Sequence, residues 1–409
     1  MQTATATILS LPEALAVLHA QAAALPVPGM KEEVALEDAG GRILARPIAA
    51  DRDQPPFNRA TRDGFAIRAE ELLRGPLKVI GQVRAGEVWL GGPLPERSTI
   101  GLMTGAPLPA GADAVVMLEH VSEVRGVLTL ATGRRLRSGE NVVPRGSEAL
   151  AGEIVLPPGT RLDAAGIALA ATCGCAALEV FARPRVAILA TGDELVEVAE
   201  TPLAHQIRNS NSYALAALVA EAGGEAVRFP ISADRREDLE RNLREASGCD
   251  LMLLSGGVSM GKYDLVEEVL LSMGADFFFT GVRMQPGRPV VFGKMAGGPY
   301  LFGLPVNPVS TEVTFHCFVG PFLRALGGGE VSGPRFVQAT LAEDVPGRAG
   351  LHRLLPARLS SDLEKPTVRL VGWQGSGDMA ANARANCYAV LPPERERFAT
   401  GDVVTVLLR

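Results

Sequence analysis

The chain has 409 residues, 47% of them apolar and 21% charged, with a formal net charge of -6. That length predicts two to four domains of ~100–200 residues each, and the composition is that of a globular chain. The negative balance excludes the electrostatic footprint of a nucleic-acid or anionic-membrane binder, so any polyanion must be held by a local arrangement of groups.

Near the N-terminus, Ser10-Leu-Pro-Glu13 predicts a capping box opening a helix. Leu11, Leu15, Leu18 and Ala22 share one face of that helix. No basic region precedes the apolar stretch, so it reads as a helix and not as a signal sequence. Residues 51–141 are rich in Gly and Pro, with short apolar runs at Leu77–Ile80, Ala114–Leu118 and Val127–Leu130. This texture predicts a small β-rich unit. Residues 142–180 hold another β-like piece, Ile154-Val-Leu156, and an Ala-rich helix over 164–172. The apolar run Ala164–Leu178 is shorter than the ~20 residues a membrane span needs. Five cysteines without a C-x-x-C pair predict neither a disulfide framework nor a zinc ribbon, and Cys173-Gly-Cys175 reads as small apolar packing. The five histidines have no metal-ligand spacing. A reduced, cytoplasmic protein is expected.

From Arg185 the pattern becomes regular. Val186–Leu189 and Leu251–Leu254 are continuous apolar runs, as in strands buried on both faces. Amphipathic helices are predicted after Asn211 or Ser212, after Asp234 and after Asp264, and a last helix over about 309–325. Strand and helix alternate, which predicts an α/β domain with a doubly wound parallel sheet over residues 180–327. The triple glycine Gly327–Gly329 marks a linker, and short β-like runs come after it, ending at Val403–Leu408.

Ligands of such sheets bind outside the carboxyl ends of the strands. Three unusual sequences fall there: Thr191-Gly-Asp193-Glu194, Ser255-Gly256-Gly257-Val-Ser259 and Leu304-Pro305-Val-Asn307-Pro308. Glycines after Ser255 allow backbone N–H groups to approach an anion, and Ser255 and Ser259 add hydroxyls. Asp193, Glu194 and Asp264 supply hard oxygen ligands of the kind Mg²⁺ shares with substrate phosphates. The expectation is metal-assisted chemistry at a phosphoanhydride or phosphoester. Taken singly, Asp234 and Asp264 also stand where helix caps belong, and Asp193-Glu194 could be a solvated turn.

These segments, together with Pro55–Ala66, Met103-Thr104-Gly-Ala-Pro107, Gly139-Glu-Asn-Val142, Pro286-Gly-Arg288-Pro289 and Gly375-Ser376, occur in an order that resembles the molybdopterin molybdenumtransferases. These are the bacterial counterparts of the gephyrin C-terminal enzyme domain. The resemblance covers nearly the whole chain. It implies four domains: an elongated, discontinuous first domain (1–50 and 142–179), a β-rich insertion (51–141), the α/β molybdopterin-binding domain (180–327) and a C-terminal β-barrel (328–409). It implies a homodimer and a Mg²⁺-dependent reaction in which molybdate is transferred to the dithiolene of adenylylated molybdopterin with release of AMP.

Asp264, Glu194, Asp234 and Asp63 match acids of the family. Thr104 matches a threonine that reaches the cleft from the partner subunit. Arg358 and Ser376 match a pair that holds molybdate, for which an arginine fork and a hydroxyl are suitable donors. The chain departs from the family pattern at Asn58, Arg62, Val306 and Gln285, the last standing where a lysine is common. Charge compensation by Arg283 or, preferably, Arg288 is therefore expected near Arg358 and Ser376. Two other function classes fit parts of the sequence: a non-catalytic scaffolding paralogue and an unrelated nucleotide hydrolase.

Overall fold

The computed structural model describes residues 7–256 and 265–409. Helix α1 (Leu11–Ala23) starts on the expected capping box, with the Ser10 hydroxyl accepting from the Glu13 N–H and the Glu13 carboxylate accepting from the Ser10 N–H. Its apolar face does not join the first domain. Leu11, Ala14, Leu18 and Ala22 are buried in the same core as Val186, Ile188 and Phe318 of the sheet domain. Ile8–Leu9 pairs with Gly281–Val282, so the chain's first described residues belong to the sheet domain, not to the unit expected to begin at residue 1.

The next unit is assembled from two distant stretches. Lys31–Ala35 pairs with Ala177–Phe181, and Ile48–Ala49 pairs with Ile154–Leu156. Helix α2 (Ala164–Thr172), capped by Asp163, packs here around Leu44, Leu162, Ala170 and Val180. The residues between form a six-stranded sheet in which Gly64–Ile67 lies between Ala114–Met117 and Ser98–Leu102.

The sheet domain begins with β1 (Arg185–Ala190) and continues through α3 (Asn211–Glu221), β2 (Glu225–Arg228), α4 (Arg236–Ala246), β3 (Leu251–Ser255) and α5 (Leu265–Ser272). Then come β4 (Ala275–Phe279), β5 (Val291–Met295), β6 (Tyr300–Leu304) and a long helix, α6, over 308–326. The strand order is β2-β1-β3-β6-β5-β4. The first four are parallel, while β5 and β4 extend the sheet antiparallel. The antiparallel edge departs from a purely parallel expectation, because no helix separates β4, β5 and β6 and short links favour antiparallel neighbours.

Alternation along the strands explains the two layers. Val186, Ile188, Leu251 and Leu253 face α1, α3 and α6, whereas Ala187, Leu189, Met252 and Leu254 face α4 and α5. Helices therefore cover both faces, as a doubly wound sheet requires. After the glycine linker, β7 (Phe336–Leu341), β8 (His352–Leu359), β9 (Thr367–Leu370), β10 (Cys387–Leu391) and β11 (Val403–Leu408) close into a barrel. Closure comes from pairing of β8 with both β9 and β10. Helix α7 (Met379–Arg384) precedes β10.

Candidate functional site

The crevice lies where β1 and β3 are neighbours but their connections leave in opposite directions, the switch point at which open α/β sheets bind ligands. Three loops are joined there by direct bonds. The Thr191 N–H donates to the Ser255 carbonyl at 3.2 Å, and the Thr191 hydroxyl donates to Asp234 Oδ1 at 2.7 Å. The Asp234 N–H donates to Asp193 Oδ1 at 3.2 Å.

The glycines are required by this fusion. Gly256 has φ +112°, and a Cβ there would overlap the Thr191 carbonyl oxygen. Gly192 has φ +151°, and a Cβ would come within 2.6 Å of the Glu194 carboxylate, which folds back over it. The role expected for Gly256, close approach of backbone to an anion, is thus accompanied by close approach of backbone to backbone.

Asp234 does not cap α4. The N-cap of the helix is Arg235, with no side-chain cap bond, and Asp234 faces the β1 loop instead. Asp193, Glu194 and Asp234 form no ion pair among the described residues. Among those residues no group of three or more His, Cys, Asp or Glu side chains converges as a metal site. Asp264, Gly257 and Ser259 lie outside the described residues.

A residue that the sequence suggested only as a helix cap ties the crevice together. Asn211 Nδ2 donates to Ser255 Oγ at 3.0 Å and to the Val306 carbonyl at 2.6 Å, while its Oδ1 is buried without a partner. The first-turn N–H of Ser212 is satisfied by Asn209 Oδ1 instead. Periodicity could place Asn211 at a helix start, but not aim its amide at two strand ends.

The third loop receives the barrel. The Val309 N–H donates to the Ser376 carbonyl at 3.0 Å, placing Ser376 against the first turn of α6. The Thr311 hydroxyl holds the Pro305 carbonyl at 2.7 Å. Arg358 is not brought against Ser376 by any bond; its Nη1 donates to the Arg384 carbonyl at 2.9 Å, at the end of α7.

Gln285 pairs in register with Arg353, at the opposite end of β8 from Arg358, ~17 Å along an extended strand. Arg283 is directed away, toward the Ile8 carbonyl and Glu13, so it does not compensate near Arg358 and Ser376. Arg288 is exposed and makes no ion pair among the described residues. The cation that meets Gln285 is Arg348, whose Nη1 donates to Gln285 Oε1 at 3.4 Å. The β7–β8 connection that carries Arg348 gave no signal in the sequence.

Asp63 and Thr104 form a second constellation, in the inserted domain. The Thr104 N–H and hydroxyl both donate to Asp63 Oδ1, at 2.6 and 2.8 Å. These two bonds, the backbone one foremost, hold the Asp63 carboxyl below its ordinary pKa. Asp63 lines a groove of about 390 Å³ with Phe65, Met103 and Leu118. Among the described residues no hydrogen bond joins this domain to the sheet domain of the same chain.

The chain matches three family models in succession: the MoeA N-terminal region (domains I and II) over residues 9–174, a probable molybdopterin-binding domain over 187–325, and the MoeA C-terminal region (domain IV) over 338–408. It is 35% identical over 380 residues to a molybdopterin molybdenumtransferase of Staphylococcus epidermidis, covering 91% of this chain and 90% of the relative. A Staphylococcus aureus enzyme of the same name is 34% identical over 384 residues, 92% of this chain and 90% of the relative. Two crystal structures of molybdopterin biosynthesis MoeA protein from Pyrococcus horikoshii superpose on 98% of the chain. They match at 31% identity with a TM-score of 0.71 over 99% of the relative, and at 27% with a TM-score of 0.78 over 100%. No helix among the described residues is long and apolar enough to cross a membrane. The chain belongs to the molybdopterin molybdenumtransferase family.

Proposed function

We propose that this chain is a cytoplasmic, homodimeric transferase that moves molybdenum from molybdate to the dithiolene of adenylylated molybdopterin, releasing AMP. The observation that carries the reading is the fusion of the β1, β2 and β3 end loops through Thr191, Asp193, Asp234 and Ser255, in a chain of this family. Hydroxyl and amide donors stand beside carboxylates that pair with no cation among the described residues. That combination suits a phosphoanhydride whose own negative charge needs a cation to approach acids.

Mg²⁺ fits the donor set, because it takes one or two carboxylates and completes its shell with water and phosphate oxygens. Asp193 and Glu194 would hold it, with Asp264 as the third acid, and it would supply charge neutralisation at the anhydride. Thr191 fixes the Asp234 carboxylate, and Asn211 fixes the Ser255 and Val306 loops against which the substrate would lie. Ser255, Gly256, Pro305, Asn307 and Ser376 form the wall for pterin and phosphate groups. Thr104, oriented by Asp63, is assigned to the cleft of the partner subunit, since among the described residues this pair has no bonded link to its own chain's crevice. Molybdate would be held from the barrel side by Arg358 and Ser376. The test is AMP release from adenylylated molybdopterin with and without molybdate. The reading requires release that depends on molybdate and on a divalent cation; release indifferent to molybdate would point to a hydrolase, and none at all to a binding protein.

A further inference from the structure

The crevice groups described above are hydroxyls, amides and carboxylates. A heterocyclic ligand also needs apolar surface, because such sites are lined mainly by apolar side chains and oriented by a few polar ones. Two large apolar residues stand at the crevice rim and are about half exposed: Val306, 45%, in the loop after β6, and Met379, 48%, the first residue of α7. Neither belongs to any apolar core among the described residues. A single exposed apolar residue needs no explanation, but these two are fastened to one helix start by adjacent residues. The Asn211 amide donates to the Val306 carbonyl at 2.6 Å, and the Ser210 hydroxyl donates to Met379 Sδ at 3.7 Å. Their loops also meet each other: the Val309 N–H donates to the Ser376 carbonyl, and a Cβ on Gly377 would lie 4.0 Å from Asn307 Oδ1. Val306 is, in addition, a position at which the chain departs from its family's pattern.

We infer, on the transferase reading above, that Val306 and Met379 form an apolar clasp for the pterin ring of the substrate and set selectivity for its pterin-bearing half. In that reading the phosphates lie against Ser255 and Gly256, and molybdate arrives from the barrel side beside Ser376. The dithiolene that takes molybdenum is therefore at the barrel end. The pterin that carries it lies beside α7, and the adenosine lies on the far side of the phosphates. A thioether is polarisable and packs well against an aromatic ring, and the Ser210 hydroxyl holds this one in place. Val306 adds stiff, β-branched surface from the opposite loop. AMP has no pterin and would touch neither residue.

Molybdopterin and AMP are the two probes, each titrated into the full-length protein by anaerobic calorimetry, beside KM and kcat for AMP release from adenylylated molybdopterin. Met379→Ala is expected to weaken molybdopterin binding and raise KM by ~10-fold, the scale of one apolar pocket contact. Its kcat and its affinity for AMP should stay within ~2-fold of the parent, because the lost contact is made equally in ground and transition states. Met379→Leu keeps the apolar volume and restores the parent values, whereas Met379→Gln does not. Val306→Gly gives a smaller loss in the same direction. Both residues are half-exposed and outside the cores, so the variants fold, and melting curves check this. Parent-like molybdopterin affinity in Met379→Ala or in Val306→Gly overturns the clasp. So does a loss confined to AMP, which would put adenine there instead. A parent protein that binds neither probe brings down the transferase reading and the clasp with it; full parent turnover with unaltered variants refutes the clasp alone.

Discussion

Replacing Asn211 by Ala removes one amide that serves two strand-end loops. The contact with Ser255 Oγ is buried on the serine side, and that with the Val306 carbonyl opens to water. A net hydrogen bond contributes ~1 kcal/mol, with more lost where a partner stays dry, so the variant should lose about 1–3 kcal/mol in total. In a domain of this size that is a fall of several °C in Tm. The catalytic effect should exceed the structural one. The β3 and β6 loops are held to one another by this side chain, and a displacement of ~1 Å at a reacting centre can cost ~100-fold. Asn211→Asp is the sharper variant, because an oxygen would replace the donor 2.6 Å from the Val306 carbonyl, where two acceptors repel. The assay is kcat and KM for AMP release beside a melting curve. The expected outcome is a large fall in kcat/KM with a folded protein. Full turnover with unchanged KM in Asn211→Ala would refute the positioning argument.

Asp234→Asn should leave the melting temperature nearly unchanged, since Asp234 caps no helix and Asn can still accept from Thr191. Turnover should fall by ~100-fold, the scale of losing one electrostatic group at a charged transition state; a fully active variant would contradict the catalytic role. Gly256→Ala should lower stability by at least ~1–3 kcal/mol, from its φ of +112° and the overlap with the Thr191 carbonyl, and chemical denaturation measures it. His316 stays neutral when folded until about pH 4, but in the unfolded chain it protonates near 6.5. The unfolded state therefore binds the extra proton first, and stability present above pH 6.5 declines as pH falls toward 4, by up to ~3 kcal/mol. His316→Leu should flatten that part of the stability profile relative to the parent protein, and identical slopes would contradict it.

Much of the sheet domain was legible because its signals are local. Continuous apolar strands, glycine stops and the Ser10–Glu13 box each announce themselves within a few residues. The antiparallel edge was not, since the short apolar runs Phe277–Phe279 and Val291–Phe292 carry no sign of strand direction. The destination of α1 was hidden for a related reason: an amphipathic face shows that something covers it, not what. At the crevice, residue types and strand-end position brought out Asp193 and Ser255, and the family resemblance brought out Asp234. They could not show that Asp234 turns to Thr191 rather than to its own helix, or that Asn211 bridges two loops. Those facts depend on side-chain direction across 43, 44 and 95 residues of sequence separation. Arg348 meeting Gln285 across 63 residues is of the same kind.

The central claim is that the crevice couples loss of AMP to capture of molybdenum. It is tested most directly by measuring, in one reaction, the AMP released and the molybdenum bound to molybdopterin after adenylylated molybdopterin, molybdate and Mg²⁺ are mixed with the protein. The account predicts equal amounts of both, rising together and abolished together in Asp234→Asn. AMP appearing without molybdenum in the product, or undiminished in that variant, would contradict it.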